Sequence, residues 1–252
     1  MEKIADLTGP AKEELPPLWE INHRIALIDE KKRLCHRVAK CPDALREQFN
    51  EKLKRYTTAG WWEAKSVPQA SPMLVILKPN GKDIRTVVDC REHNANVVWD
   101  ETPLPDQDMI RHAMAKCCYR SKIDLSDAYE QIRVEPSDVI NTAFSTYVGT
   151  YVSHVMQQGD CNAPSTFHRF ICLVFRDRLY LGVYPFIDDV HGGTDTIEEH
   201  EELLGWIFEK IREHKLRVNP KKVELYAEDL MIIRKNNFSK LDIIRRGAKL
   251  LL

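Results

Sequence analysis

The sequence has no run of eighteen or more apolar residues, so no transmembrane helix and no membrane partner are expected. Its first thirty residues carry Lys3, Asp6, Lys12, Glu13, Glu14 and Glu20 and no apolar stretch, so no secretory leader is expected. No CxxC pair occurs. The cysteines number seven, an odd count, which argues against a disulfide framework, and Cys35-His36 with Cys41 matches no common zinc spacing. A reducing intracellular compartment, cytoplasmic or nuclear, fits that usage. Neither sign of charge is in excess: Lys+Arg is 37, Asp+Glu is 38, and the formal net charge is -1. That balance excludes a histone-like, wholly basic binder but leaves room for a local basic groove. There is no internal repeat and no low-complexity segment.

What is present is a globular chain of 252 residues, 43% hydrophobic and 30% charged, long enough for one large domain or two small ones. Pro42, the apolar face Leu45, Phe49, Leu53 and Tyr56, and Gly60 predict a helix over residues 42–58. The apolar run 73–77 and the segment 85–89 predict a hairpin turning at Asn80-Gly81. Further strands are expected over 119–125 and through Phe186-Ile187, and a second hairpin over 142–156 with Gly149 at its turn. Phe167, Phe170, Ile171, Val174 and Phe175 form a helical stripe after Asn162. A capping box, Thr196 to Glu199, opens a helix burying Leu203, Leu204, Ile207, Phe208 and Ile211. Strands and helices mix without strict alternation, so the expected class is α+β.

Two segments carry candidate chemistry. Asp124 in 121–129 and Asp188-Asp189 in 184–190 each end an apolar, strand-like run. A carboxylate there loses solvation unless paired or bound to a cation, and adjacent aspartates repel. A pair of divalent ions would satisfy both, as in two-metal phosphoryl transfer. The plain alternative is a solvated turn at Asp188-Asp189 and a helix cap at Asp127.

The motifs then fall in a known order. Residues 78–81 with 85–91 and Asn94, then 121–134, then 142–144 through 155–159 and 162–167, then 186–189, then 216–222 with Asn219-Pro220-Lys221-Lys222, resemble the reverse transcriptases of gypsy-type LTR retrotransposons, of a fungal kind. The likeness covers roughly residues 15–226. It implies a right-hand polymerase: fingers at 1–99 and 132–160, palm at 100–131 and 161–229, and a divergent basic tail at 230–252 in place of primer grip and thumb, the thumb being largely missing.

The resemblance also implies RNA-directed DNA polymerase activity. Asp124, Asp188 and Asp189 would hold two Mg²⁺, or Mn²⁺, with the Leu125 carbonyl completing one site. Lys78 and Arg85 would grip the triphosphate, and the backbone amides of Asp127 and Ala128 would cradle phosphate oxygens. Tyr129 would exclude a 2′-hydroxyl, Gln158 would line the nucleotide pocket, and Lys222 or Lys221 would protonate pyrophosphate. Arg169 and Arg176, on a helix over 163–179, would meet the phosphates of an RNA or DNA template with its primer. The bland counterparts are solvated cations at Lys78, Arg85, Arg169, Arg176 and Lys222, a core tyrosine at Tyr129 and a turn residue at Gln158. The expected partners are dNTPs, template–primer, and RNase H and integrase supplied elsewhere in a polyprotein.

Departures from the family flank the aspartate pair, with Phe186 where tyrosine is usual, and one extra residue lies near Asp83. Pro185 removes a donor from a strand expected to be central, and His191-Gly192-Gly193 is expected to weaken the strand after Asp189. Those features, with the absent primer grip, open a second reading: a reverse-transcriptase-fold remnant that binds nucleic acid or protein without turnover. A third reading is another two-metal phosphotransferase.

Overall fold

The structure, a computed structural model, describes residues 2–33, 38–79, 81–227, 230–231 and 243–244. Cys35-His36, Asn80 and, apart from two short strands, the tail from 230 lie outside the described residues. In chain order the elements are α1 (Arg46–Thr58), β1 (Trp62–Ala64), β2 (Ser71–Leu77), β3 (Ile84–Val88), α2 (Arg91–Asn94), α3 (Gln107–Lys116), β4 (Tyr119–Asp124), β5 (Phe144–Ser145), β6 (Thr150–Ser153), α4 (Ala163–Val174), β7 (Val183–Phe186), β8 (Asp189–Thr194), α5 (Ile197–Glu213), β9 (Leu230–Met231) and β10 (Ile243–Ile244). Short 3-10 turns intervene. The chain forms two compact units, one of residues 1–11, 102–128 and 167–252, the other of 12–101 and 129–166.

The second of these units holds a five-stranded sheet in the order β1-β6-β5-β2-β3. β2 and β3 pair antiparallel from Met73 opposite Val88 to Leu77 opposite Ile84, and residues 78–83 form the loop between them. Gly81 takes φ 65°, and the Lys78 amide donates to the Asp83 carbonyl at 2.7 Å. Phe49 and Tyr56 lie two turns apart on α1, so one helical face buries both. Tyr56 meets Trp61 and Trp62 with ring centroids 4.8 and 4.5 Å apart, and Trp62 reaches Phe144 at 5.0 Å. A separate aliphatic cluster joins Ile25, Val97, Val134, Val139, Ala143 and Val152.

The other unit is built on a three-stranded antiparallel sheet in the order β4-β8-β7. The order corrects two expectations. Pro185 does not sit in a central strand: β7 is an edge among the described residues, where a missing N–H costs no ladder bond. Nor does His191-Gly192-Gly193 weaken β8, which pairs along its whole length with β4, from Asp189 opposite Asp124 to Thr194 opposite Tyr119.

The glycines let helices reach this strand. A Cβ on Gly193 would stand 2.7 Å from Cys117 Sγ and Met114 Cε, and one on Gly192 would touch Leu203 and Ile207. Successive residues of a strand face opposite sides, so helix α3 closes on one side and α5 on the other. The apolar segment through Phe186-Ile187 is strand only to Phe186; Ile187 is in the turn. The helix expected over 163–179 ends at Val174, and Arg176 falls in a 3-10 turn, Arg176–Arg178.

The capping box at Thr196 and Glu199 forms in both directions, which stabilises the start of α5 by about 1 kcal/mol. Beneath that start, fully buried His200 is held between two hydroxyls, Ser121 Oγ at 2.7 Å and Thr194 Oγ1 at 3.1 Å. The Tyr226 amide donates to the same Ser121 hydroxyl at 3.1 Å. Burial pushes His200 down to about 4. The unfolded chain binds this proton more readily than the folded one, so the stability it contributes is full above the ordinary histidine value and is lost as pH falls toward 4. The loss is on the order of 3 kcal/mol. Urea unfolding midpoints should therefore drop between pH 7 and 4, and His200→Asn should flatten that dependence. An equally steep drop in the variant would contradict it.

Candidate active site

The backbone brings three aspartates to one end of the β4-β8-β7 sheet. Asp124 is the last residue of β4 and Asp189 the first of β8, and they are direct cross-strand partners. Asp188 lies in the two-residue turn joining β7 to β8, and its carbonyl accepts the Leu125 amide at 3.1 Å. The turn is strained. Ile187, a β-branched residue, takes φ 54°, in the left-handed region that glycine favours at the first position of such a turn. A strained backbone of this kind is characteristic of a functional loop.

Like charges opposite one another on adjacent strands destabilise a sheet. Burial pushes the Asp188 and Asp189 carboxyls above the usual carboxylate range, and repulsion within the trio adds to it. Two ammonium groups answer this charge. Lys122 Nζ lies 2.8 Å from Asp189 Oδ2, and Lys222 Nζ lies 3.1 Å from Asp124 Oδ2. Burial opposes the charge on Lys222, but its hydrogen bond to Asp124 and the pull of all three aspartates hold its pKa above the ordinary lysine value.

No three His, Cys, Asp or Glu groups among the described residues are already arranged as a metal cage. The donor set is nonetheless all carboxylate oxygen and mutually repulsive, from buried Asp124 and half-buried Asp189 to exposed Asp188, which suits a hard divalent cation such as Mg²⁺. The buried Leu125, named with the trio, follows Asp124 and pairs with Val218.

Residues 76–241 match the family described as reverse transcriptase (RNA-dependent DNA polymerase). The chain belongs to the reverse transcriptase family. It is 30% identical over 166 residues to the retrovirus-related Pol polyprotein from transposon 297 of Drosophila melanogaster, a match covering 64% of this chain and 16% of that protein. The chain thus spans about a sixth of that relative's length. Its fold is that of the prototype foamy virus protease–reverse transcriptase, with a TM-score of 0.79 at 19% identity over 98% of this chain and 33% of that one. A second structure of the foamy viral protein, in complex with an RNA/DNA hybrid, matches with a TM-score of 0.71 at 20% identity, over 86% of this chain and 30% of that one. The fold class expected from the sequence, α+β with reverse-transcriptase-like fingers and palm, is the one found.

In this reverse transcriptase domain the remaining candidates divide between the units. Asp127 and Ala128 follow β4; Asp127 takes φ 43° and its carboxylate accepts the Ala11 amide at 3.2 Å. Lys222 lies in the turn opened by Asn219-Pro220, where the Asn219 side chain accepts the Lys221 amide at 3.1 Å. Arg169 and Arg176 are exposed, Arg176 facing Asp177 at 3.6 Å.

In the other unit, Arg85 Nε donates to Gln158 Oε1 at 3.0 Å, so two of the nucleotide candidates touch. Lys78 is exposed in the β2–β3 loop and Tyr129 is half-buried at the start of a 3-10 turn, not a core residue.

Sequence reasoning gave no role to three groups, although Asn94 stands in the first motif. Lys122 was legible in principle, because it lies two residues before Asp124 on the same strand face. The second is the His23–Asp160 pair: their side chains lie 3.1 Å apart and are 1% and 7% exposed, and His23 Nδ1 meets Thr166 Oγ1 at 3.1 Å. The third is Asn94, which holds the Gly159 carbonyl and the Cys161 amide. Those partners are far apart in sequence and leave no local signal. No described helix is long and apolar enough to cross a membrane.

Proposed function

We propose that this chain carries out RNA-directed DNA synthesis, transferring a nucleotide from a dNTP to a primer 3′-hydroxyl at Asp124, Asp188 and Asp189. The observation that carries this reading is the Asp124–Asp189 cross-strand pair with Asp188 in the adjoining turn. The unit bearing the trio is the palm, and the unit bearing the β2–β3 hairpin is the fingers.

The three aspartates and the Leu125 carbonyl would hold two Mg²⁺, with Mn²⁺ as a substitute. When bound, such ions acidify the primer hydroxyl and neutralise charge on the triphosphate. The chain's own groups do the rest. Lys78 and Arg85 bind phosphate oxygens, Arg85 in a bidentate fashion, with Gln158 fixing its guanidinium. The amides of Asp127 and Ala128 offer a nest for phosphate. Tyr129 excludes a 2′-hydroxyl. Lys222, already protonated beside Asp124, delivers a proton to the leaving pyrophosphate. Arg169 and Arg176 bind template–primer phosphates, an electrostatic and salt-sensitive interaction. The foamy viral protein bound to an RNA/DNA hybrid supports such a duplex as the nucleic-acid ligand.

The fully paired β8 removes one ground for reading the chain as an inactive remnant. The test is primer extension on an RNA template. Incorporation should require Mg²⁺, stop in EDTA and prefer dNTPs over ribonucleotides. Folded protein that binds template yet incorporates nothing in Mg²⁺ would overturn the proposal.

A further inference from the structure

The cation facing Asp189 belongs to the chain itself. Lys122 and Asp124 lie two residues apart on β4 and so project from one face of the sheet. The backbone of Lys122 is tied on both sides. Its amide donates to the Glu224 carbonyl at 2.7 Å and its carbonyl accepts the Glu224 amide at 2.9 Å, while across β8 it is paired with His191. Its ammonium is 2.8 Å from Asp189 Oδ2, with the two side chains 18% and 19% exposed. Lys222 differs: its side chain is 63% exposed and reaches Asp124 from a turn. One lysine is free to leave for a phosphate, and the other is built into the sheet.

We propose that Lys122 is a resident counter-ion and positioning residue of the carboxylate trio, taking one oxygen of Asp189 so that three acidic side chains fold together before any divalent ion arrives. The inference rests on the reading of the trio as a divalent-ion site. Removing one partner of a poorly solvated ion pair strands the other charge, which costs more than the pair contributes. Without Lys122, Asp189 would face Asp124 with no fixed cation, and the fold would depend on an added ion to supply the charge. With Lys122 in place, one Asp189 oxygen remains for that ion.

Thermal melting in EDTA and in millimolar Mg²⁺ tests this on four proteins: wild type, Lys122→Met, Lys122→Arg, and Lys122→Met with Asp189→Asn. Lys122→Met should melt lower in EDTA, and Mg²⁺ should raise its midpoint by at least about 3 °C more than it raises that of the wild type. Lys122→Arg should behave as wild type. The double variant should regain stability in EDTA alone, because no charge is stranded. A loss that Mg²⁺ leaves untouched and that persists in the double variant would assign Lys122 to packing and overturn the proposal; so would no loss at all. If Lys122→Met folds only in Mg²⁺, the proposal stands, and if neither it nor the double variant folds in either condition, it falls. Binding of Mn²⁺ to the wild type, read by electron paramagnetic resonance, separates the two ideas. No binding sinks the divalent-ion reading itself, whereas binding together with a Mg²⁺-indifferent Lys122→Met sinks only the role of Lys122.

Discussion

Asp188→Asn should lower Mg²⁺-dependent incorporation by about a thousandfold or more, equivalent to about 4 kcal/mol in the barrier. The substitution keeps the shape of the side chain and the turn, and removes one anionic oxygen from the proposed metal site. Its effect on the fold should have the opposite sign. The Asp188 carboxyl is held above the usual range by burial and by the charge of Asp124, so a neutral amide there relieves a repulsion. Metal-free Asp188→Asn should melt at the wild-type temperature or above it. Activity lost while stability is kept or gained is the signature of a functional carboxylate. Activity that survives, or a protein that unfolds, would refute the role given to this residue.

Gly159→Ala should destabilise the protein by about 3 kcal/mol or more, lowering its melting midpoint by roughly 6 °C or more. Gly159 takes φ 115°, a conformation that side-chain-bearing residues rarely adopt. A Cβ there would stand 2.5 Å from the Val88 carbonyl oxygen. That oxygen belongs to the last residue of β3, so relief would require moving backbone of the β2–β3 ladder rather than rotating a side chain. The Asn94 side chain also fixes the Gly159 carbonyl at 2.8 Å. Because Gln158 precedes this glycine and accepts from Arg85, any folded variant should show a raised KM for dNTP with a smaller change in kcat. A melting curve that overlays the wild type would contradict the prediction.

The motif order 78–94, 121–134, 142–167, 186–189 and 216–222 was enough to identify the family, because each motif joins chemistry to a local element that neighbouring residues specify. The capping box before α5 and the stripe of α4 are of the same local kind. Pro185 and the glycine pair of β8 misled for the converse reason. Strand propensity scores a residue by its average surroundings, whereas β7 lies at an edge and β8 lies between two helices that need the room a glycine leaves.

By itself, then, the sequence determined which residues carry charge and which local elements present them: the α+β class, the three aspartates, and cations at Lys78, Arg85 and Lys222. Only the tertiary structure decided which charge answers which. Asp189 pairs with Lys122, Asp124 with Lys222, Arg85 with Gln158, and His23 with Asp160, across 67, 98, 73 and 137 positions of chain. Coulomb and hydrogen-bond energies fall off with distance in space, and the distance between residues remote in the chain is set by strand register and packing, which no local pattern records.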